Sequence, residues 1–358
     1  MQLSGDIVFS SGSVGDNDIW RLNLETRELT QLTTGSANNE QPRWSPSGAR
    51  IAFISNRDNG IPKLFLMDQN GSNLAQLVKG DHYCDGVCWF PDGQNLLFTA
   101  NLIDPNEIDL FSINITNPEN PTRLMAGNGI ELGPSISPDS GNILYCVASL
   151  PDEPGLPRNY DIWEYEIHSS TRRQMTDHLL RDFSARYSPD GRFIAFISQR
   201  SPEDEGALVE AISRLQRLVI GGAPTREIDY GIRAVQALEQ HADLWLMDRH
   251  HPKQARQMTN GQLIASSFTW SPNGRYLCYA ASEPGGDGVT RLYVLDTQSG
   301  ESEALKFDRK QLKIELQTDD QHILNRSGIA SLIPDFLKRR MIPRIVHGSE
   351  FQPDWRER

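Results

Sequence analysis

Cysteine is scarce in this chain, with four in 358 residues. Cys84 and Cys88 lie four apart in a segment that reads as a strand, which separates them by roughly 13 Å, too far for a disulfide. Cys146 and Cys278 fall inside apolar strands, so buried structural thiols are expected. No close CxxC or HxxxH pair exists to build a zinc-type site. An excess of positive charge is also missing: 35 lysines and arginines face 47 aspartates and glutamates, a net charge of −12. Generic binding to nucleic acid or an anionic membrane surface therefore has no electrostatic support. No apolar run approaches the length of a membrane span, so no transmembrane helix is expected. The opening Met1-Gln2-Leu3-Ser4-Gly5 has neither the basic nor the apolar region of a secretory signal. The expectation is a cytoplasmic protein if Met1 is the native start, and a periplasmic one if a leader has been removed. No Gly-x-Ser-x-Gly nucleophile elbow occurs, and the eight histidines show no ligand-like spacing.

What the chain does have is a repeat. An aromatic or apolar residue, Ser-Pro, Asp or a substitute, and then Gly recur as Trp44-Ser45-Pro46-Ser47-Gly48 and Trp89-Phe90-Pro91-Asp92-Gly93. Ile136-Ser137-Pro138-Asp139-Ser140-Gly141, Tyr187-Ser188-Pro189-Asp190-Gly191 and Trp270-Ser271-Pro272-Asn273-Gly274 follow, and Phe351-Gln352-Pro353-Asp354-Trp355 is a degenerate last copy. Each full copy precedes a short apolar strand, such as Ile51-Ala52-Phe53-Ile54 or Ile194-Ala195-Phe196. Pro presets φ, Asp caps the turn and Gly accepts positive φ, so the motif is a tight turn between strands. A second motif keeps step: Asp18-Ile19-Trp20, Lys63-Leu64-Phe65, Asp109-Leu110-Phe111, Asp161-Ile162-Trp163, Asp243-Leu244-Trp245 and Arg291-Leu292-Tyr293. After each comes a turn and a short strand ending near Leu32-Thr33, Leu77-Val78, Leu124-Met125, Met175-Thr176, Met258-Thr259 or Leu305. Four strands per unit, at a spacing of roughly 45–50 residues, predict a propeller blade. The N-terminus begins on a second-strand pattern, Asp6-Ile7-Val8-Phe9, and the C-terminus supplies the missing first strand at Glu350-Phe351-Gln352-Pro353. The fold expected is all-β: a six-bladed β-propeller over 1–358, with 349–355 paired to the N-terminal blade so that no sheet edge stays open.

These Trp-Ser-Pro-Asp-Gly turns, with Asp-Ile-Trp and a closing Leu-Thr, resemble the repeats of the TolB-like six-bladed propeller family over nearly the whole chain. The resemblance implies a rigid binding scaffold. The family's namesake belongs to the Tol–Pal cell-envelope system, where an N-terminal α/β domain precedes the propeller and the propeller docks the lipoprotein Pal. The propeller pattern starts at the head of these 358 residues, so no counterpart of that N-terminal domain is expected within them. Similar propellers gate prolyl oligopeptidase-type and tricorn-type enzymes, and oligogalacturonate lyases use related repeats with a histidine-rich manganese site.

Two insertions interrupt the repeat. From Pro189 to Pro272 the step is 83 residues, roughly 35 more than a blade needs. The surplus, 202–240, lies between the second and third strands of the fifth blade. Leu208, Ile212, Leu215 and Val219 recur at helical spacing, as do Ile228, Ile232, Val235 and Leu238, with Gly221-Gly222-Ala223-Pro224 between the runs. A helical hairpin is expected, its stripes either packed on each other and the blade or presented as a partner-docking surface. The second insertion, 308–348, precedes the closing strand and carries the basic cluster Lys338, Arg339 and Arg340, either a solvated face or a contact for an acidic partner. An eroded seventh blade is the alternative reading of that stretch.

The residues just before each Ser-Pro turn should line a central channel. Glu40, Asp85, Glu131, Asp182, Arg186 and Glu350 are the candidates there, with Gln41, Ser266 and His347 beside them and His82 in the adjoining polar loop. Carboxylates converging on one axis could hold a hard divalent cation through oxygen; otherwise a solvated polar channel and no cofactor are expected. The turn and Asp-Ile-Trp aspartates recur in most blades, which assigns them to structure. The function expected is a non-enzymatic, monomeric protein-interaction scaffold that docks a protein partner on its loops and hairpin. Two alternatives stand beside it: a channel-ligand-binding or metal-dependent carbohydrate-active propeller, and a regulatory subunit of a separate hydrolase.

Overall fold

Six antiparallel four-stranded sheets surround one axis in the computed structural model. It describes residues 3–307 and 354–356, apart from 14–15, 106, 126–130, 149–159, 179, 201–204, 225, 229–230, 232–241 and 285–288. The chain first lays down β1 (Asp6–Ser13), β2 (Asp16–Asn23) and β3 (Leu29–Gln31). The second blade is β4 (Asn39–Trp44), β5 (Arg50–Ser55), β6 (Lys63–Asp68) and β7 (Ala75–Gln76). The third is β8 (Cys84–Trp89), β9 (Asn95–Ala100), β10 (Asp109–Asn114) and β11 (Asn117–Met125). The fourth is β12 (Glu131–Ile136), β13 (Asn142–Ala148), β14 (Tyr160–Glu166) and β15 (Thr171–Gln174). The fifth is β16 (Asp182–Tyr187), β17 (Phe193–Ser198), β18 (Asp243–Asp248) and β19 (His251–Gln257), with helix α1 (Glu205–Ile220) between β17 and β18. The sixth is β20 (Ile264–Trp270), β21 (Tyr276–Ser282), β22 (Arg291–Asp296) and β23 (Ser302–Ala304). The last strand, β24 (Asp354–Arg356), returns to β1 and completes the first blade. The innermost strands β24, β4, β8, β12, β16 and β20 touch in turn and form the ring.

Position in the blade explains each strand's composition. The second strand is covered on both faces by neighbouring sheets, so Ile51–Ile54, Leu96–Phe98, Ile143–Tyr145, Ile194–Ile197 and Leu277–Ala281 are buried without alternation. The outermost strands face water: Thr171–Gln174 and Ser302–Ala304 are exposed throughout, and β11 carries Pro118 and Pro121. Charge and proline blunt these edges against pairing with another chain. All four cysteines are buried and unpaired by disulfides.

The repeated residues hold turns. Ser45, Ser137, Ser188 and Ser271 each accept a hydrogen bond at Oγ from the amide five residues on, at 2.8–3.0 Å. In three of these turns the same hydroxyl donates to the side chain two residues later, Asp139, Asp190 or Asn273. The second motif has its own chemistry. Thr33, Thr176 and Thr259 accept the amide of the residue after the motif Asp: Ile19 at 2.8 Å, Ile162 at 2.9 Å and Leu244 at 3.0 Å. Thr33 and Thr259 then donate to Asp18 and Asp243. The Leu-Thr ending is thus a clasp between the third strand and the end of the fourth.

Among the described residues, ring closure rests on the three of β24. Ile7 pairs with Trp355 and Asp6 with Arg356. Trp355 is 7% exposed and donates from Nε1 to the Ser4 carbonyl at 3.0 Å. Arg356 bonds Asp6 at 3.1 Å, donates to the Gly48 carbonyl and lies over the Trp44 ring. The paired strand is Asp354–Arg356; the expected closing residues 349–353 lie outside the described residues, as does all of 308–348.

Candidate functional site

Each inner strand of blades two to five is bent by a bulge. Gln41, Gly86, Gly133 and Ser184 have φ between 54° and 59° where the ladder shifts register. At Gly86 an added Cβ would lie 2.7 Å from Pro134 Cδ, so both the conformation and the space call for glycine. Such bulges re-aim side chains. They also divide the channel candidates between two ends. Glu131 and Asp182 are the first, and Glu40 and Asp85 the second, residues of their strands, while Arg43, Cys88 and Arg186 stand beside the Ser-Pro turns. Three or four strand residues separate the two groups, roughly 10–13 Å.

At the acidic end Asp182, Asp85 and Glu40 have protein partners, and the Glu131 side chain lies outside the described residues. Asp182 is fully buried and held by Arg200. Asp85 accepts from Gln41 Nε2, and Gln41 Oε1 accepts the Gly86 amide at 2.8 Å. Burial raises the Asp85 pKa, opposed by those bonds. Glu40 accepts from Asn38 at 2.7 Å. His82 sits half-buried in the loop before β8. Among the described residues, no three His, Cys, Asp or Glu side chains converge as metal ligands would. Asp182 is engaged in its ion pair with Arg200, and Glu350 lies outside the described residues.

At the other end is a cavity of about 400 Å³, to which five of the six blades contribute. Its walls include Arg43, Trp44, Trp89, Ile136, Arg186 and Asp354, and Pro46, Pro91, Pro138 and Pro189 of the turns border it. Trp89 and Trp270 lock the arginines' backbone, donating from Nε1 to the Arg43 carbonyl at 3.0 Å and the Arg186 carbonyl at 3.3 Å. Arg43 is 8% exposed; its guanidinium donates to the Pro42 carbonyl at 2.9 Å, and its buried Nε has no partner among the described residues. Burial, and then the neighbouring Arg186 charge, push the Arg43 pKa down to about 9, so it stays a cation at neutral pH. Asp354 accepts from the Trp44 amide and, at 3.2 Å, from Thr269 Oγ1. Burial raises its pKa, with Arg43 and Arg186 acting against that. Among the described residues no carboxylate lies within ion-pair distance of either arginine. Arg186 was legible as a channel residue; Arg43, one step before the Trp-Ser-Pro motif, was not singled out by the repeat.

The hairpin stripe turns inward. Ile212 is 8% exposed and Leu215 fully buried, in one cluster with Leu180, and Val219 and Ile228 pack against it. Ile212 and Leu215 are thus covered by this chain, while Val219 and Ile228 keep partly exposed surface. Gly222, at φ 64°, ends α1 as the Ala223 amide returns to the Leu218 carbonyl at 2.9 Å. At the last residue of α1, Ile220 is 71% exposed. Leu208's side chain, Ile232, Val235, Lys338, Arg339 and Arg340 lie outside the described residues. An Arg clamp also escaped the sequence reading. Arg57 and Arg200, in Phe-Ile-Ser-x-Arg of blades two and five, reach back to Asn39 and Asp182 at the start of the inner strand and lie over Phe53 and Phe196. The repeated pentapeptide was its signal.

No helix among the described residues is long and apolar enough to cross a membrane. Residues 4–150 match the model of the TolB beta propeller domain. The chain is 24% identical over 191 residues to the uncharacterized peptidase YuxL of Bacillus subtilis, covering 53% of this chain and 26% of that protein. It is 29% identical over 171 residues to the uncharacterized protein Atu1656 of Agrobacterium fabrum, covering 47% and 54%. The match thus spans about a quarter to a half of these relatives' lengths. The crystal structure of TolB from Acinetobacter baumannii superposes with a TM-score of 0.63 at 14% identity, over 99% of this chain and 67% of that one. Repeat and ring together make this chain a six-bladed β-propeller of TolB-like fold, with the family match carried by residues 4–150.

Proposed function

We propose that the chain is a binding module that takes a protein partner across the Ser-Pro mouth of its channel. The observation that carries this is the cavity to which five blades contribute, bordered by four turn prolines. The repeated polar residues are spent on turns and clasps, so they are architecture; the mouth is where unrepeated side chains meet. A rigid rim that presents four exposed turn prolines over buried tryptophans suits a docking surface. The inserted hairpin shapes one side of the fifth blade, and Lys338, Arg339 and Arg340 would serve as an accessory contact for an acidic partner.

Affinity capture from the native lysate tests this, with the intact chain beside the rim variant Pro91→Glu/Pro189→Glu and a deletion of 203–240. A partner retained by the intact chain and lost from the rim variant is the expected result. A partner held equally by all three proteins would remove the mouth and the hairpin from consideration. A second reading, a propeller that gates a hydrolase, draws on the peptidase name of YuxL and on the portion of that protein outside the match. Co-purification with a hydrolase encoded beside this chain, and a changed turnover of that hydrolase, would favour it.

A further inference from the structure

We infer that Arg43 and Arg186 form a recognition site for one carboxylate group inside the Ser-Pro mouth of the channel. The site goes beyond partner docking and stands whether the carboxylate belongs to a free small acid or to the C-terminus of a polypeptide. Three observations place it there. Both arginines line the cavity, from different blades, and neither has a carboxylate within ion-pair distance among the described residues. Among the described residues, Arg43, more than nine-tenths buried, keeps Nε without a hydrogen-bond partner, and Trp44, another lining residue, has a buried Nε1 in the same condition. Buried donors of this kind need an acceptor. Two guanidiniums in a low-dielectric recess repel each other, and an anion between them relieves both that repulsion and the missing bonds.

The charge balance selects the anion. Asp354 faces the same cavity, and the Trp44 amide and Thr269 hydroxyl already occupy its oxygens. Two arginines and one carboxylate leave a single positive charge. A monoanionic carboxylate neutralises it, and planar forks grip a carboxylate in two-point fashion. A phosphate dianion would leave excess negative charge against Asp354. The cavity, about 400 Å³ with Trp44, Trp89 and Ile136 on its wall, has room for a terminal residue or a small organic acid of some apolar character.

The test is calorimetric titration of the intact chain with benzoate, with inorganic phosphate, and with one short peptide carrying either a free or an amidated C-terminus. The same titrations are run on Arg186→Gln and Arg43→Lys, each first shown to keep the parent's thermal midpoint within a few degrees. Saturable carboxylate binding that falls at least tenfold in Arg186→Gln, and also falls in Arg43→Lys, which keeps the charge but not the fork, is the expected result. If Arg43→Lys does not fold, Arg186→Gln carries the decision alone, since Arg186 is only partly buried. A free-terminus peptide that binds at least tenfold tighter than both its amide and benzoate identifies a polypeptide end; equal binding of benzoate identifies a small acid. Phosphate binding tighter than every carboxylate overturns the assignment. So does the absence of saturable binding at millimolar ligand, or binding that both variants leave unchanged.

Discussion

Glu164 gathers charge from two blades. Its side chain, 7% exposed, pairs with Arg249 at 2.7 Å and Arg173 at 2.7 Å and accepts the Tyr187 hydroxyl at 2.7 Å. Arg249 also lies over the Tyr187 ring. Removing one member of such a buried network strands the others, which costs more than the net worth of the network. Glu164→Ala should therefore destabilise the fold by about 3 kcal/mol. Glu164→Gln should recover part of that loss, because its carbonyl oxygen still accepts from Tyr187. Denaturant unfolding of the two variants checks the order. Asp161 is a second residue with a stated outcome. Burial raises its pKa to about 6, against the His178 amide, with Asp182 and Asp177 adding to the rise. The folded state thus prefers the protonated form, and the stabilisation is present below about pH 4 and lost as pH rises through about 6. Asp161→Asn should flatten the difference in thermal midpoint between pH 4 and pH 7 relative to the parent; an unchanged difference would show that Asp161 does not titrate in this window.

At the scale of elements, the hairpin is an addition to a blade that is complete without it. Ser198 and Asp243 are paired neighbours across β17 and β18, so a short turn can replace the intervening chain. Deleting 203–240 with such a turn should leave the sheet signal of the propeller and its cooperative melt unchanged. Leu215→Ala should loosen α1 alone by about 2–4 kcal/mol, since Leu215 is fully buried in a small satellite cluster. Faster hydrogen exchange confined to 205–220 is the readout. The blades were legible because their signals are local: Ser188 and Asp190 close a turn within five residues, and Thr176 clasps the strand of its own motif. The inward turn of the hairpin was not, because helical periodicity marks an apolar stripe without saying which surface covers it; Leu180, from a preceding loop, does so here. The meeting of Arg43 and Arg186 was equally hidden. Neither the repeat nor the spacing encodes it, and only the ring brings the ends of β4 and β16 to one mouth.

The whole molecule depends on a three-residue strand. Without β24, the first sheet would have three strands and β1 would present an unpaired ladder beside Trp44 and Asp354's former place. Closure removes that edge and joins the first blade to both of its neighbours, through Arg356 to Gly48 of the second and through Trp355 stacked on Tyr276 of the sixth. Trp355→Ala removes a ring that is 7% exposed from the shared core of blades one and six. The loss should be about 3–5 kcal/mol, seen as a lower thermal midpoint with a monomeric native state. Deleting 354–358 should do something different in kind. It exposes the β1 edge, takes Asp354 away from the channel mouth and leaves a ring that can open at one seam. The expected outcome is a concentration-dependent dimer or aggregate by light scattering, together with a broadened melt as the blades at the seam unfold ahead of the rest. A deletion variant that stays monomeric and melts as sharply as Trp355→Ala would show instead that the inter-blade core alone holds the ring closed.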